Sequence, residues 1–164
     1  MNKVALALGG NIGNMVEKFN SIKIMLEDNG FNKIILSSCY SNPASNCIPN
    51  TPDFTNAAAI GNWDKSPEKL LCLTQKLEID SGRPSNHRSD MSRTLDIDII
   101  LFGDDIISTE KLIIPHPRAK ERDFVLVPLN EIAPNWIFPD TKLTVKKTLD
   151  ILAQIQTQTL VKIK

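Results

Sequence analysis

The pattern of apolar and polar positions divides the chain into short segments of two kinds. Compact or alternating apolar runs, typical of strands, cover 3–9, 31–40, 54–63 and 95–102, with a short strand pair around 106–107 and 112–114. Helical spacing of apolar residues covers the segment between Asn14 and Gly30, then 66–81, 123–132 and 143–156. The first two helices have clear start signals, because Asn14 and Ser66 are good N-caps and Pro67 suits a first turn.

The order of these elements predicts the fold class. A β-α-β-β-α-β succession favours an α+β protein of the ferredoxin-like kind, in which helices pack on one antiparallel sheet. Neither an internal repeat nor a linker interrupts the pattern, so we expect a single domain over 1–164. The proline-containing segment 41–53 and the polar segment 82–92 are predicted loops, the second of them mobile.

Composition narrows the classes of partner. Of 164 residues, 41% are hydrophobic and 23% charged, and 19 basic residues balance 19 acidic ones. A chain without net charge has no general field for nucleic acid or anionic membrane, so neither is expected as a partner. No apolar run approaches the ~20 residues of a membrane span, and the apolar start is too short for a secretory signal.

The three cysteines do not suggest a metal site. Cys39, Cys47 and Cys72 form no C-x-x-C pair, and the chain has only two histidines. We therefore expect unpaired thiols in a reducing, cytoplasmic environment.

Two acids interrupt the strand-like segment SRTLDIDIILFG. Alternation places Leu95, Ile97, Ile99 and Leu101 on the core face, and Asp96 and Asp98 on the other. Their β-carbons would be ~6–7 Å apart, with a repulsion on the order of 2–3 kcal/mol at an effective dielectric of ~20. A cation would relieve it, and magnesium favours carboxylates together with substrate phosphates. The alternative is an exposed strand end whose acids pair with Arg93 or a lysine.

A cluster of cationic residues follows the acidic strand. His116, Arg118, Lys120 and Arg122 fall within one short stretch, IPHPRAKERDF. Such groups suit phosphate oxygens through charge-assisted hydrogen bonds. The alternative is a solvated basic patch.

Four segments together resemble one enzyme family. SRTLDIDIILFG, IPHPRAKERDFVLVPLNEIAP, ALGGNIGN and TPDFTNAA occur in the order found in 6-hydroxymethyl-7,8-dihydropterin pyrophosphokinases, from about Val4 to Pro139. The resemblance implies transfer of a pyrophosphoryl group from MgATP to the hydroxymethyl oxygen of the reduced pterin, with release of AMP, in folate biosynthesis. Members also occur fused to other folate enzymes, so this chain could be fused or adjacent to them.

The resemblance also implies roles for individual residues. Asp96 and Asp98 would bind two magnesium ions, and Asp98 or solvent would accept the proton of the hydroxyl. The residues implied at the phosphates are Arg93, His116 and Arg122. Those implied on the nucleotide side are Gln75, Glu78, Arg83, Arg88, Ile99, Lys111 and Lys120. For the pterin they are the stacking pair Phe54 and Phe124, the edge-reading Asn56, and the segment Asn42, Pro43, Ala44 and Ser45. GGNIGN, which has no Walker lysine, is interpreted as a tight turn beside the pterin.

The loop over 82–92 departs from the family pattern. Ser85 stands where a second arginine is expected, and Asp90 where well-known members have tryptophan. Arg88 or His87 could substitute for the missing arginine. The departure concerns the contacts by which this loop closes over ATP in the family. Gly10 replaces a usual serine.

Two other classes of function are alternatives to this enzyme family. A ferredoxin-like module that binds a metabolite without turning it over is compatible with the fold alone, yet it has no need of an acidic pair facing a basic cluster. A Rossmann-type oxidoreductase is excluded because the dinucleotide fingerprint is absent.

Overall fold

The computed structural model describes residues 1–42, 52–82 and 94–163. In chain order the elements are β1 (Asn2–Gly10), α1 (Met15–Asp28), β2 (Asn32–Leu36), β3 (Tyr40–Asn42), β4 (Phe54–Trp63), α2 (Pro67–Asp80), β5 (Asp96–Phe102), β6 (Ile107–Ser108), β7 (Ile113–Ile114), a 3-10 turn (Ala119–Glu121), α3 (Asp123–Ile132), α4 (Val145–Ile155) and β8 (Val161–Lys162). The predicted helices are confirmed, and Asn14 and Ser66 cap α1 and α2 through their side chains. The two predicted loops lie largely outside the described residues.

The main sheet is antiparallel and has helices on both faces. Its order is β5-β1-β4-β3-β8, and β2 also pairs with β4. The α+β class with an antiparallel sheet is therefore confirmed. No helix in the described ranges is both long and apolar enough to span a bilayer.

Alternation along β1 separates two hydrophobic clusters. The larger residues Val4, Leu6 and Leu8 face α1 and α2, whose buried residues complete the first cluster. Ala5 and Ala7 face α3 and α4 in the second cluster. The small side chains on this second face let α3 approach the sheet closely, and the candidate site lies on the same face.

Two predicted strand patterns are wrong in part, each because of an extra residue. The predicted strand 31–40 is split into β2 and β3, since the register against β4 moves by one residue between Leu36 opposite Ala59 and Tyr40 opposite Asn56. At the break, the hydroxyl of Ser37 accepts a hydrogen bond from the backbone N–H of Ala58, 2.8 Å away. The side chain thus takes the place of a backbone acceptor.

The second extra residue lies in β5. Leu6 pairs with Ile99 but Ala5 pairs with Leu101, so Ile100 is bulged. Leu101 therefore joins Ile100 in the second cluster, whereas alternation had placed it with Ile97 and Ile99 in the first. At the bulge, the carbonyl of Ile100 accepts a hydrogen bond from the backbone N–H of His116 at 3.1 Å, which fixes the backbone of His116 beside β5.

Gly61 in β4 lies directly beneath Phe31. A β-carbon at this position would be 2.4 Å from Cε1 of Phe31 and 2.8 Å from the carbonyl oxygen of Asn32. Phe31 is fully buried, and its ring centroid is 6.2 Å from that of Trp63. The close approach of strand and ring requires glycine here.

Candidate active site

The acidic pair lies on β5 beside the smallest residues of β1. Asp96 is opposite Gly9 and Asp98 is opposite Ala7. Directly opposite residues in an antiparallel pair share a face, so both carboxylates are on the α3 side of the sheet. Both are half-buried. The predicted shared orientation of the two acids is therefore confirmed.

The ring of His116 is held in one tautomer. Its Nδ1 accepts a hydrogen bond from the backbone N–H of Arg118 at 3.2 Å, so the neutral ring carries its proton on Nε2. That Nε2 atom is 3.9 Å from Oδ2 of Asp98. Burial lowers the pKa of His116, and the charges of Arg122 and Arg118 lower it further, against the opposing effect of Asp98 and Asp96. The ring is consequently a neutral donor at neutral pH.

Arg122 connects the cationic cluster to an aromatic ring. Its guanidinium carbon is 5.5 Å from the ring centroid of Phe124, at the start of α3. The same guanidinium is close enough to His116 to affect its pKa. The phosphate candidates and one aromatic candidate thus lie together.

Lys120 is engaged elsewhere. Its ammonium forms an ion pair with Asp140 and lies 5.5 Å from the ring centroid of Phe138. The structure therefore brings Lys120 to the loop before α4 and not to the acidic pair.

A groove of about 270 Å³ opens along the outer edge of β5, beside Asp98. Its apolar walls come mainly from the first cluster, and its charged or polar lining residues are Asp98, Glu110, Lys111 and His116. It brings together the nucleotide-side candidates Ile99 and Lys111, the metal candidate Asp98 and the phosphate candidate His116. The mixture of apolar walls and charged groups suits a nucleotide.

The helix-borne candidates Gln75 and Glu78 have different surroundings. Gln75 is exposed, whereas Glu78 is 4% exposed and accepts a hydrogen bond from the backbone N–H of Ile97 at 2.7 Å. Glu78 therefore anchors the residue between the two aspartates. Its burial could have been predicted, because it follows Leu70 and Thr74 at four-residue intervals along the buried face of α2.

The pterin candidates lie in register with the acidic pair. Asn56 is opposite Gly9, which is opposite Asp96, so the three share a face across adjacent strands. Two strand spacings separate Asn56 from Asp96, or ~10 Å. The buried Asn56 donates a hydrogen bond from Nδ2 to Oδ1 of Asn42, and Asn42 is opposite Phe54.

The sequence had not singled out Asn11, Tyr40 or Glu131. Asn11, in the turn after β1, is buried and donates a hydrogen bond to the carbonyl of Pro52 at 3.0 Å. Tyr40 is opposite Asn56 and bonds to Glu131. The spacing of residues along the chain does not predict any of these contacts. The candidates Pro43, Ala44, Ser45, Arg83, Arg88 and Arg93 lie outside the described residues.

The donors present fit magnesium. Within residues 1–42, 52–82 and 94–163, no group of three or more His, Cys, Asp or Glu side chains is arranged to hold a metal. Magnesium commonly uses only one or two protein carboxylates and completes its shell with phosphates and water. Asp96 and Asp98 supply that set.

Comparison with known proteins identifies a family. The family model described as 7,8-dihydro-6-hydroxymethylpterin-pyrophosphokinase (HPPK) matches residues 5–134. The 2-amino-4-hydroxy-6-hydroxymethyldihydropteridine pyrophosphokinase of Haemophilus influenzae is 37% identical over 140 residues, covering 84% of this chain and 86% of the relative. The folate synthesis bifunctional protein of Arabidopsis thaliana is 36% identical over 130 residues, covering 79% of this chain and 27% of the relative.

A solved structure shares the fold. Plasmodium falciparum HPPK-DHPS, crystallised with pteroate, superposes with a TM-score of 0.73 at 15% identity. The match covers 93% of this chain and 42% of that one, so this chain spans less than half of that protein. At this identity the likeness concerns the fold alone.

Proposed function

This chain belongs to the 7,8-dihydro-6-hydroxymethylpterin-pyrophosphokinase family, and on that premise we propose how its residues divide the work of the reaction. It is a diphosphotransferase of folate biosynthesis: the pyrophosphoryl group of ATP passes to the hydroxymethyl oxygen of 6-hydroxymethyl-7,8-dihydropterin, and AMP is released. The observation that carries the assignment of roles is the row Asp96, Gly9 and Asn56. This row supports a metal-binding side at Asp96 and a pterin side at Asn56, ~10 Å apart on one face of the sheet.

On the phosphate side, the groove beside Asp98 would take the nucleotide. Asp96 and Asp98 would hold two magnesium ions, which neutralise the charge of the polyphosphate. His116 would donate its Nε2 proton to a phosphate oxygen, and Arg122 would donate from its guanidinium. Asp98 or solvent would take the proton of the attacking hydroxyl. Lys120 could contribute only after leaving Asp140.

On the pterin side, Phe54 and Phe124 would stack on the two faces of the ring. Stacked aromatic pairs contribute ~0.5–1.5 kcal/mol beyond burial. Asn56, whose position is set by its bond to Asn42, would read the ring edge, since an amide both donates and accepts. The absence of a side chain at Gly9 leaves room beside that amide.

We also infer that the fold is of the ferredoxin-like kind. The order β5-β1-β4-β2 of the strands that flank α1 and α2 supports it. A non-catalytic metabolite-binding module of the same fold is not favoured. A cytoplasmic location and the lack of nucleic-acid partners remain predictions, and the fused Arabidopsis relative makes linkage to another folate enzyme a reasonable proposal.

The test of this function is the release of AMP. We expect the purified chain, given MgATP and 6-hydroxymethyl-7,8-dihydropterin, to form AMP and the pterin diphosphate in equal amounts, without ADP. Reactions lacking the pterin, or containing excess chelator, serve as controls. A folded protein that binds both compounds and forms no AMP would favour the module.

Replacing Gly9 by alanine tests the pterin side. The new β-carbon would lie 3.3 Å from Oδ1 of Asn56, so the amide must move away from its place in the row. We expect the KM for the pterin to rise about tenfold, equivalent to about 1.4 kcal/mol, with the KM for ATP within about twofold. Steady-state kinetics with each substrate varied would measure both. Equal increases in the two KM values would contradict the separation of the two sides.

A further inference from the structure

Glu131, on the last turn of α3, accepts three hydrogen bonds from Ser38 and Tyr40, just before and at the start of β3. Its Oε1 accepts from the backbone N–H of Ser38 at 3.2 Å and from the Ser38 hydroxyl at 2.8 Å. Its Oε2 accepts from the hydroxyl of Tyr40 at 2.6 Å. A fourth contact comes from Lys162 of β8, whose Nζ is 3.7 Å from Oε1. One carboxylate thus joins α3, β3 and β8.

One partner of Glu131 belongs to β3, the strand that pairs with the pterin candidates Phe54 and Asn56 of β4. Tyr40 opens β3 and is opposite Asn56, and two residues later Asn42 is opposite Phe54 and accepts the bond from Asn56. β8 pairs along the other edge of β3, with Lys162 opposite Tyr40. The strand is short, so its position depends on these neighbours.

The other end of α3 carries Phe124. Glu131 lies seven positions further along the helix, ~10 Å along its axis. α3 is continuous between the two residues although Pro128 lies in its interior, and its buried residues also fix it in the second cluster. The attachment of Glu131 to β3 therefore contributes to the distance between Phe124 and Phe54. The hydrogen bonds at one end of the helix therefore bear on the aromatic slot at the other.

We propose that Glu131 is a positioning residue for the pterin, which holds α3 against β3 through Tyr40 and Ser38 and so sets the width of the slot between Phe54 and Phe124. The inference rests on the proposed function, because the slot is assigned there to the pterin. The carboxylate touches neither ring itself.

The electrostatics of the cluster agree with a charged Glu131. Burial tends to raise its pKa, but the hydrogen bonds from Tyr40 and Ser38 and the charge of Lys162 outweigh that effect and lower the pKa. Burial, the bond to Glu131 and its negative charge raise the pKa of Tyr40 to about 12. Both shifts favour a carboxylate that accepts from a neutral phenol, which is a strong form of hydrogen bond.

The first test is the substitution Glu131→Gln. It preserves the shape but removes the charge, and it replaces one of the two accepting oxygens by an amide nitrogen that can only donate. We expect the KM for the pterin to rise about tenfold, with kcat and the KM for ATP within about twofold. The matched control is Glu27→Gln, because Glu27 is an exposed helix residue whose ion pair with Lys23 is 3.9 Å long; it should change none of these values. A loss shared by kcat and both KM values would indicate general loosening and overturn the proposal.

The second test uses the fact that Tyr40 is the one tyrosine of the chain. Its titration can be followed directly by the absorbance of tyrosinate. We expect a midpoint near 12 in the wild type, and a shift towards the ordinary value of about 10 in Glu131→Gln. An unshifted midpoint would show that the two side chains do not interact in solution, and would overturn the proposal.

The variant Tyr40→Phe tests the positioning role of Glu131 if Glu131→Gln does not fold. It removes one donor and leaves Ser38, so we expect a smaller rise in the pterin KM, about threefold. In the double variant the two effects should not add, because they share a partner. A wild type that forms AMP together with an unchanged pterin KM in both variants overturns this inference alone. A wild type that forms no AMP overturns the proposed function first.

Discussion

Replacing Asp98 by asparagine is expected to reduce kcat for AMP formation by at least about a thousandfold, equivalent to about 4 kcal/mol of transition-state stabilisation. The amide preserves the volume and the strand, but it removes a negative charge beside His116 and would weaken the binding of magnesium at the proposed metal site. Metal ions that clamp a transferring phosphoryl group are worth several kcal/mol. Asp96→Asn should act in the same way, because both acids face the same side.

The control for this prediction is Asp105→Asn. Asp105 lies in the exposed turn after β5, so its loss should leave the rate unchanged. Melting temperatures of all three variants should stay within a few degrees of the wild type, and titration with Mn²⁺ should show weaker binding only for the strand variants. Near-normal rates for Asp96→Asn and Asp98→Asn in magnesium would refute the metal assignment.

Replacing Gly61 by alanine is expected to lower the free energy of unfolding by about 3 kcal/mol, at the upper end of the usual range for overpacking. The added carbon would overlap both a buried ring and a backbone oxygen, at 2.4 Å from Phe31 and 2.8 Å from Asn32. Neither can move without separating β2 from β4 or displacing Phe31 from Trp63. Urea denaturation followed by tryptophan fluorescence would measure the loss.

Gly9→Ala provides the matched comparison for stability. It is the same substitution on the neighbouring strand, but its new carbon meets only the end of a side chain, at 3.3 Å. We expect a loss of less than about 1 kcal/mol. Similar losses for the two variants would mean that the contact with Phe31 is not what requires glycine in β4.

Local patterns in the sequence were enough to predict the helices and the acidic strand. The caps Asn14 and Ser66 act within three residues of themselves, and the shared face of Asp96 and Asp98 follows from the two-residue period of a strand. These features depend on residues that are close together in the sequence, so the spacing of residue types is enough to predict them. The roles carried over from the family for individual residues stay predictions.

Features that depend on a distant partner could not be predicted in this way. The bulge at Ile100 is defined by pairing with β1 and by the bond from His116, and the break before β3 depends on Ala58. β8 was missed because a two-residue strand has no period and exists by pairing with β3. Likewise, nothing in the spacing of Lys120 indicates that Asp140 is its partner.

The hydrogen bond from Arg118 to the ring of His116 would affect product release if His116 contacts a phosphate as proposed. With Nδ1 occupied, the neutral imidazole would donate one hydrogen bond to the anion and add no positive charge of its own. A positively charged side chain attracts any phosphate, including the one that remains on AMP after the transfer. The attraction of a neutral donor depends mainly on the direction of the hydrogen bond. It would therefore hold AMP less tightly once the geometry of the triphosphate is lost.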